Sequence, residues 1–409
     1  MSPAVTPRVR ALSIHADYRC RGAGACCSSG WAIPVEPGIE DGIRAAIRAR
    51  VLRLPAGRSS GAPRRNGAER ALRPVPGLPH GARVVLETDA GRCMFLERGG
   101  FCAVHRTLGE GALPSACLHF PRVATLTPLG VSVTLSHYCP TAASSLFRED
   151  VALAVVDGPP AFPPSWPWEG LDARDALPPL LRPGVLMDWP SLERWERFAV
   201  SVFAEDEGTP EAAVATLTDA AEGARWWTPE RGPFGAFFEG VLEGALSRGA
   251  SRRKPPLQGA RLDGPRYARD PARWGSRAWH AVAGCASDRA LLPAAPRGPD
   301  EADSRWVAPA WPALGRPIRR WLAAKAFASW LALQGEGLRT TVIGLRTALL
   351  VLRAEAARGC GDAVRPLDAG LLKEAVRRTD LLLVHLADPD TLARRLSRAE
   401  SAGDPTGAW

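Results

Sequence analysis

Ile39, Ile43, Ile47 and Val51 recur every four positions, the spacing of one helical face, and this predicts an amphipathic helix over 37–54 with its arginines turned outward. Just before it, the apolar run 31–35 predicts a short strand. Beyond it, 84–87 and 93–96 flank the turn sequence Thr88-Asp89-Ala90-Gly91, and a second turn, Glu97-Arg98-Gly99-Gly100, leads into 101–104. Short apolar runs joined by Gly-containing turns predict an antiparallel meander. The same pattern returns at 122–127 and 131–136 around Pro128-Leu129-Gly130, which predicts another hairpin.

Further along, the period changes from two to about four. A helix is expected to begin at 140–147, and the proline-rich stretch 159–190 breaks any regular face. Ser191 is placed to cap a helix carrying Leu192, Trp195, Phe198, Val202 and Phe203, and Thr209-Pro210-Glu211 is an N-terminal signal for the next. A third helix is expected over 234–247. Long apolar-periodic stretches at 318–333, 338–357, 371–387 and 392–402 predict an antiparallel helical bundle. The segments 55–81, 251–273 and 293–304 are rich in Gly, Pro or Arg and carry no periodic face. The fold class expected is therefore α+β: a small cysteine-rich β-hairpin domain at 1–150 with a flexible insertion at 55–81, a Pro-rich linker at 151–190, and a mostly α-helical domain at 191–409.

With 409 residues, 46% of them hydrophobic, the chain can bury a large core. Residues 1–10 lack the apolar segment of a secretory signal, and no stretch of about 18 uncharged apolar residues follows, so a cytoplasmic protein with no membrane association is expected. The net charge of +9 comes almost wholly from arginine, the lysines being Lys254, Lys325 and Lys373. No uninterrupted basic helix with interleaved aromatics accompanies that charge, which argues against nucleic acid as a partner.

The candidate chemistry lies in the cysteines. Seven of nine, namely Cys20, Cys26, Cys27, Cys93, Cys102, Cys117 and Cys139, fall between positions 20 and 139, while Cys285 and Cys360 stand apart. In a reducing compartment, thiols grouped in this way are metal-ligand candidates rather than disulfide halves. Glycines around Cys20, Cys26 and Cys27 permit the unusual dihedrals that let several sulfurs converge. The Arg98-Gly99 turn is expected to set Cys93 and Cys102 opposite each other or nearly so, as a sulfur pair, and the second hairpin to bring Cys117 toward Cys139. His105, His119 and His137 lie in the same region and are expected to support the site rather than ligate. Four thiolates serve zinc or an iron–sulfur cluster alike, and seven exceed the needs of one site. There is no strand-linked Gly-x-Gly-x-x-Gly and no Cys-x3-Cys-x2-Cys.

The order of motifs is Cys-x5-Cys-Cys at 20–27, Cys93-Met94-Phe95-Leu96, Gly100-Phe101-Cys102-Ala103-Val104-His105, Leu108-Gly109-Glu110, Cys117-Leu118-His119-Phe120-Pro121-Arg122 and Cys139-Pro140. It resembles the YkgJ-like cysteine-cluster family, and within it the flagellin lysine-N-methylase branch, over roughly residues 15–147. The resemblance implies chelation of zinc or iron, and for that branch an iron–sulfur cluster with S-adenosylmethionine as methyl donor and a protein as substrate. A lysine must be neutral to accept a methyl group, and Asp89, Glu97 and Glu110 are the carboxylates nearest in sequence to act as base. The competing expectation is a non-catalytic zinc- or iron-binding module joined to a helical interaction domain.

Overall fold

The computed structural model describes residues 7–54, 70–253, 271–296 and 299–401. The chain is α+β and divides into two compact units whose sequences interleave: one comprises 19–122 and 139–141, the other 1–18, 123–138 and 142–409. The expected boundary at residue 150 therefore gives way to a cysteine unit inserted within a helical one. The reason is strand pairing. Val9–Leu12 lies parallel to Gly130–Leu135, with Val9 opposite Val131 and Ala11 opposite Val133. It lies antiparallel to Val155–Asp157 on its other edge. The stretches before and after the cysteines thus belong to one sheet, whose order is Leu171–Asp172, Arg122–Thr127, Gly130–Leu135, Val9–Leu12, Val155–Asp157. The expected linker is also structured in part, since Leu171–Asp172 joins that sheet and Leu180–Arg182 pairs with Val185–Leu186.

In the cysteine unit, Val84–Leu86 is the central strand between Pro34–Val35 and Leu72–Pro74. The pairing of Leu72–Pro74 corrects the expectation of a flexible insertion for that part; 55–69 lie outside the described residues. The predicted amphipathic helix runs from Pro37 to Arg48. Ile43 is buried against Val35, Leu72, Leu86 and Phe95, whereas Val51 is 57% exposed because the helix has already ended. Residues 103–104, expected in a strand, open the helix Ala103–Leu108 instead.

The core of the helical unit gathers Trp195, Phe203, Phe238, Trp321 and Phe327, all nearly inaccessible to water. Each such side chain contributes about 1.5–3 kcal/mol through removal from solvent. Thr209 caps Pro210–Ala224 by accepting the Ala212 N–H, as its sequence predicts. Asp188, not Ser191, caps Trp189–Ala204: its carboxylate accepts the Ser191 N–H at 2.7 Å, and Pro190 occupies the first turn where no N–H is needed. The bundle continues through Gly315–Ala326, Leu338–Ala363, Ala369–Asp380 and Pro389–Ser401. Among the described residues, no helix is long and apolar enough to cross a membrane.

A candidate thiol centre

Cys26 and Cys27 sit in consecutive tight turns, in which the Cys27 N–H reaches Gly24 O at 3.1 Å and the Ser28 N–H reaches Ala25 O at 3.2 Å. Gly22 and Gly24 hold φ of +65° and +69°, a region L side chains avoid. The loop runs against the turn that carries Gly100. There φ is +84°, and a Cβ would stand 2.5 Å from the Gly22 carbonyl oxygen, so only glycine lets the two backbones approach this closely.

Cys93 ends the strand Arg92–Cys93, and its N–H donates to the Cys27 carbonyl at 2.7 Å, which joins the loop to the meander. Cys102 faces Leu96 across an antiparallel bridge and precedes the helix Ala103–Leu108. Cys117 lies in the short helix Ser115–His119, whose first N–H, that of Ser115, is accepted by the Glu36 carboxylate at 3.2 Å. Glu36 therefore ties the start of one helix to the entrance of another.

These five cysteines, Cys26, Cys27, Cys93, Cys102 and Cys117, line one cavity of about 20 Å³. Its other walls include Trp31, Ile33, Phe95 and Leu113. Cys26 Sγ and Cys27 Sγ are 3.7 Å apart. Hydrogen bonding to Cys102, Cys26 and Cys93 raises the Cys27 thiol, so Cys27 keeps its proton and shares it with its neighbours. Accepting from Cys27 brings Cys102 down to about 7, helped by the backbone N–H groups of His105 and Val104. Cys26 and Cys93 are lowered by the same donor. Burial raises Cys117 well above the usual thiol range. The result is a half-shielded set in which three sulfurs are lowered and two are raised.

Cys20 and Cys139 are placed differently. Neither lines the cavity. Burial raises the Cys20 thiol, with Cys26 and then Cys139 adding to the rise and Arg122 opposing it. Nor does the second hairpin bring Cys117 to Cys139, since Cys117 faces the other four sulfurs. His105, His119, Asp89, Glu97 and Glu110 do not line the cavity either; Glu97 is bound to Arg106. Among the described residues, no three His, Cys, Asp or Glu side chains already stand in an arrangement that could hold a metal ion.

The helical unit contains a polar cluster that no sequence motif announces. Asp380 is fully buried and accepts from Trp321 Nε1 at 2.9 Å, Lys325 Nζ at 2.9 Å and the His137 backbone N–H at 2.6 Å. Burial pushes its carboxyl up, but Lys325 and His137 outweigh that and hold it well below the ordinary range. Burial lowers both His137 and His15, so each ring is neutral. With Nδ1–H of His137 turned to Asp380, its Nε2 accepts from His15 Nε2–H at 3.3 Å. His15 Nδ1 is then a buried acceptor with no partner among the described residues.

No family model matches the chain, and no solved structure matches it. The flagellar biosynthetic protein FliU of Salmonella muenchen is 32% identical to it over 76 residues, 19% of this chain and 45% of that protein. The chain thus spans less than half the length of the curated relative it matches.

Proposed function

We propose that this protein is a metal-binding cysteine-cluster protein whose centre is held by Cys26, Cys27, Cys93, Cys102 and Cys117. The observation that carries this reading is five cysteines, drawn from a glycine loop, a meander and a short helix, lining one small cavity. The donor set suits a thiophilic metal: sulfur ligands select zinc or iron–sulfur centres over magnesium or calcium. A cavity of about 20 Å³ accepts a body of roughly one water, which suits a single ion such as zinc. An iron–sulfur cluster, favoured by the resemblance, is larger than that cavity. The metal when bound supplies cross-linking of three separate segments. The chain's part is to present thiolates and to exclude water with Trp31, Ile33 and Phe95. Anaerobic purification followed by metal analysis and an absorption spectrum tests the reading: zinc is colourless, whereas iron–sulfur centres absorb visible light. Protein that carries no metal and takes up neither zinc nor iron under reducing conditions would overturn it.

A second reading, transfer of a methyl group from S-adenosylmethionine to a protein lysine, draws on the motif run from Cys93 to Cys139 and on the partial similarity to a flagellar biosynthetic protein. In such a step the neutral amine takes the sulfonium methyl, S-adenosylhomocysteine leaves and one proton is released. Metal-loaded protein, labelled S-adenosylmethionine and a lysate of the source organism, followed by mass spectrometry for methyl-lysine, tests it. No donor binding and no transfer would leave the non-catalytic metal-binding module with its helical domain.

A further inference from the structure

The helical unit holds a second cavity, of about 360 Å³, unrelated to the thiols and within the roughly 300–1,000 Å³ of small-molecule sites. Its floor is apolar: Val214, Trp311, Leu349 and Leu350 line it and are otherwise buried. Glu211 reaches it from the first turn of Pro210–Ala224. Arg353 reaches it from Leu338–Ala363, three positions after Leu350 and so on the same helical face.

Both polar side chains are fixed by half of their bonding groups. Arg353 donates through Nε and Nη2 to the two oxygens of Asp303 at 2.7 and 2.9 Å, and its guanidinium carbon lies 5.3 Å from the centre of the Trp311 ring. Trp311 Nε1 in turn donates to Glu211 Oε1 at 3.0 Å. Among the described residues neither Arg353 nor Glu211 makes a further hydrogen bond, which leaves the N–H groups of Arg353 Nη1 and the oxygen Glu211 Oε2 unspent. One indole therefore holds an open donor and an open acceptor in the same cavity. Asp303 opens a π-helical turn, Asp303–Val307, a local widening often found beside functional sites.

The charges themselves are already met. Arg353 is balanced by buried Asp303, and Glu211 is offset by the positive end of its helix dipole. Arg346, also in the wall, has a partner of its own. An acid in this cavity would face the Glu211 carboxylate, and an amine would face the Arg353 guanidinium; like charges set together cost affinity. An uncharged ring amide avoids both, because its N–H and its C=O lie side by side on one edge and offer a donor to Glu211 and an acceptor to Arg353.

We propose that this cavity binds a small, uncharged, flat heterocycle with an amide edge. Its N–H donates to Glu211 Oε2, its C=O accepts from Arg353 Nη1, and its apolar body lies against Val214, Leu349 and Leu350. Calorimetry on the full chain with quinolin-2-one, its N-methyl derivative and 2-naphthoate tests it. Quinolin-2-one is expected to bind roughly tenfold more tightly than either of the others, since a hydrogen bond to a charged group is lost with the N–H. Glu211→Gln keeps an oxygen for Trp311 but turns the second acceptor into a donor, and is expected to remove the preference over the N-methyl compound. Methyl NMR of the unmodified protein with quinolin-2-one gives a reading that does not depend on a variant folding: shifts are expected at Val214, Leu349 and Leu350. Equal binding of the N-methyl compound, tighter binding of 2-naphthoate, no binding of quinolin-2-one at millimolar concentration, or shifts confined to other methyls would overturn the proposal.

Discussion

One oxygen of Asp380 accepts the backbone N–H of His137 at 2.6 Å and faces Nδ1 of the same residue at 3.3 Å, so a single carboxylate fixes both the end of a strand and the ring that follows it. Lys325 and Trp321 complete its shell. Asp380→Ala is expected to cost about 3–5 kcal/mol, because it leaves a mostly buried ammonium and an indole N–H without an acceptor. The double variant Lys325→Met/Asp380→Leu should recover much of that loss. Urea midpoints of the three proteins give the comparison, and a double variant no more stable than Asp380→Ala would refute the pairing.

The division among the cysteines gives a sharper test. Substituting Ser for Cys27, Cys93 or Cys102 should lower bound metal and destabilise the cysteine unit, since a lost ligand removes part of the folding free energy that metal supplies. Cys20→Ser and Cys139→Ser, which alter thiols outside the cavity, should retain metal. Cys285→Ser and Cys360→Ser should retain it too, because both residues are buried in the helical unit. Metal content per chain decides the matter; equal loss in all five variants between positions 20 and 139 would argue for a larger shared centre.

Gly100→Ala should damage the same site without removing a sulfur. Its φ of +84° and the Gly22 oxygen 2.5 Å from the added Cβ force the two turns apart. A destabilisation of about 1–3 kcal/mol is expected, together with reduced metal occupancy. Gly109→Ala is the control. It also carries a positive φ but has open space around its Cβ, so any fall in stability there should come without metal loss.

Acid should weaken the helical unit before ordinary carboxylates titrate. Burial lowers His385 to about 4, with Asp380 opposing and Lys325 assisting, and its Nε2 lies 2.6 Å from Ser136 Oγ. Its folded pKa is below the unfolded value of about 6.5, so the unfolded chain binds a proton that the folded one refuses. Stability is full above pH 6.5 and falls as pH drops toward 4, by about 3 kcal/mol from this residue. His15 and His137 act in the same direction. Thermal melts from pH 7.5 to 4.5 should show the decline, and His385→Phe should flatten part of it.

The local elements were legible where their cause is local. The Thr209 cap, the Ile43 face and the strands around Pro128-Leu129-Gly130 follow from neighbouring residues alone. The Ser191 cap was misplaced by three residues because Asp188 is an equally good acceptor and the following proline favours it. Clustering of the cysteines pointed to one neighbourhood, but which sulfurs share a cavity depends on how the 20–30 loop crosses the Gly100 turn. Spacing along the chain does not encode that. Likewise His15, His137, Lys325 and Asp380 are scattered over the whole sequence and meet only through tertiary packing.

The parallel pairing of Val9–Leu12 with Gly130–Leu135 also sets a timetable for biosynthesis. Roughly 120 residues separate the partners, so at about 5–20 residues per second the first strand waits on the order of 6–24 s after its own translation before its neighbour exists. In that interval the whole stretch from Cys20 to Cys117 is translated. Most of the cysteine unit, residues 19–122, is therefore made while Val9-Arg10-Ala11-Leu12 stays an unpaired edge that a chaperone or a neighbouring nascent chain can reach.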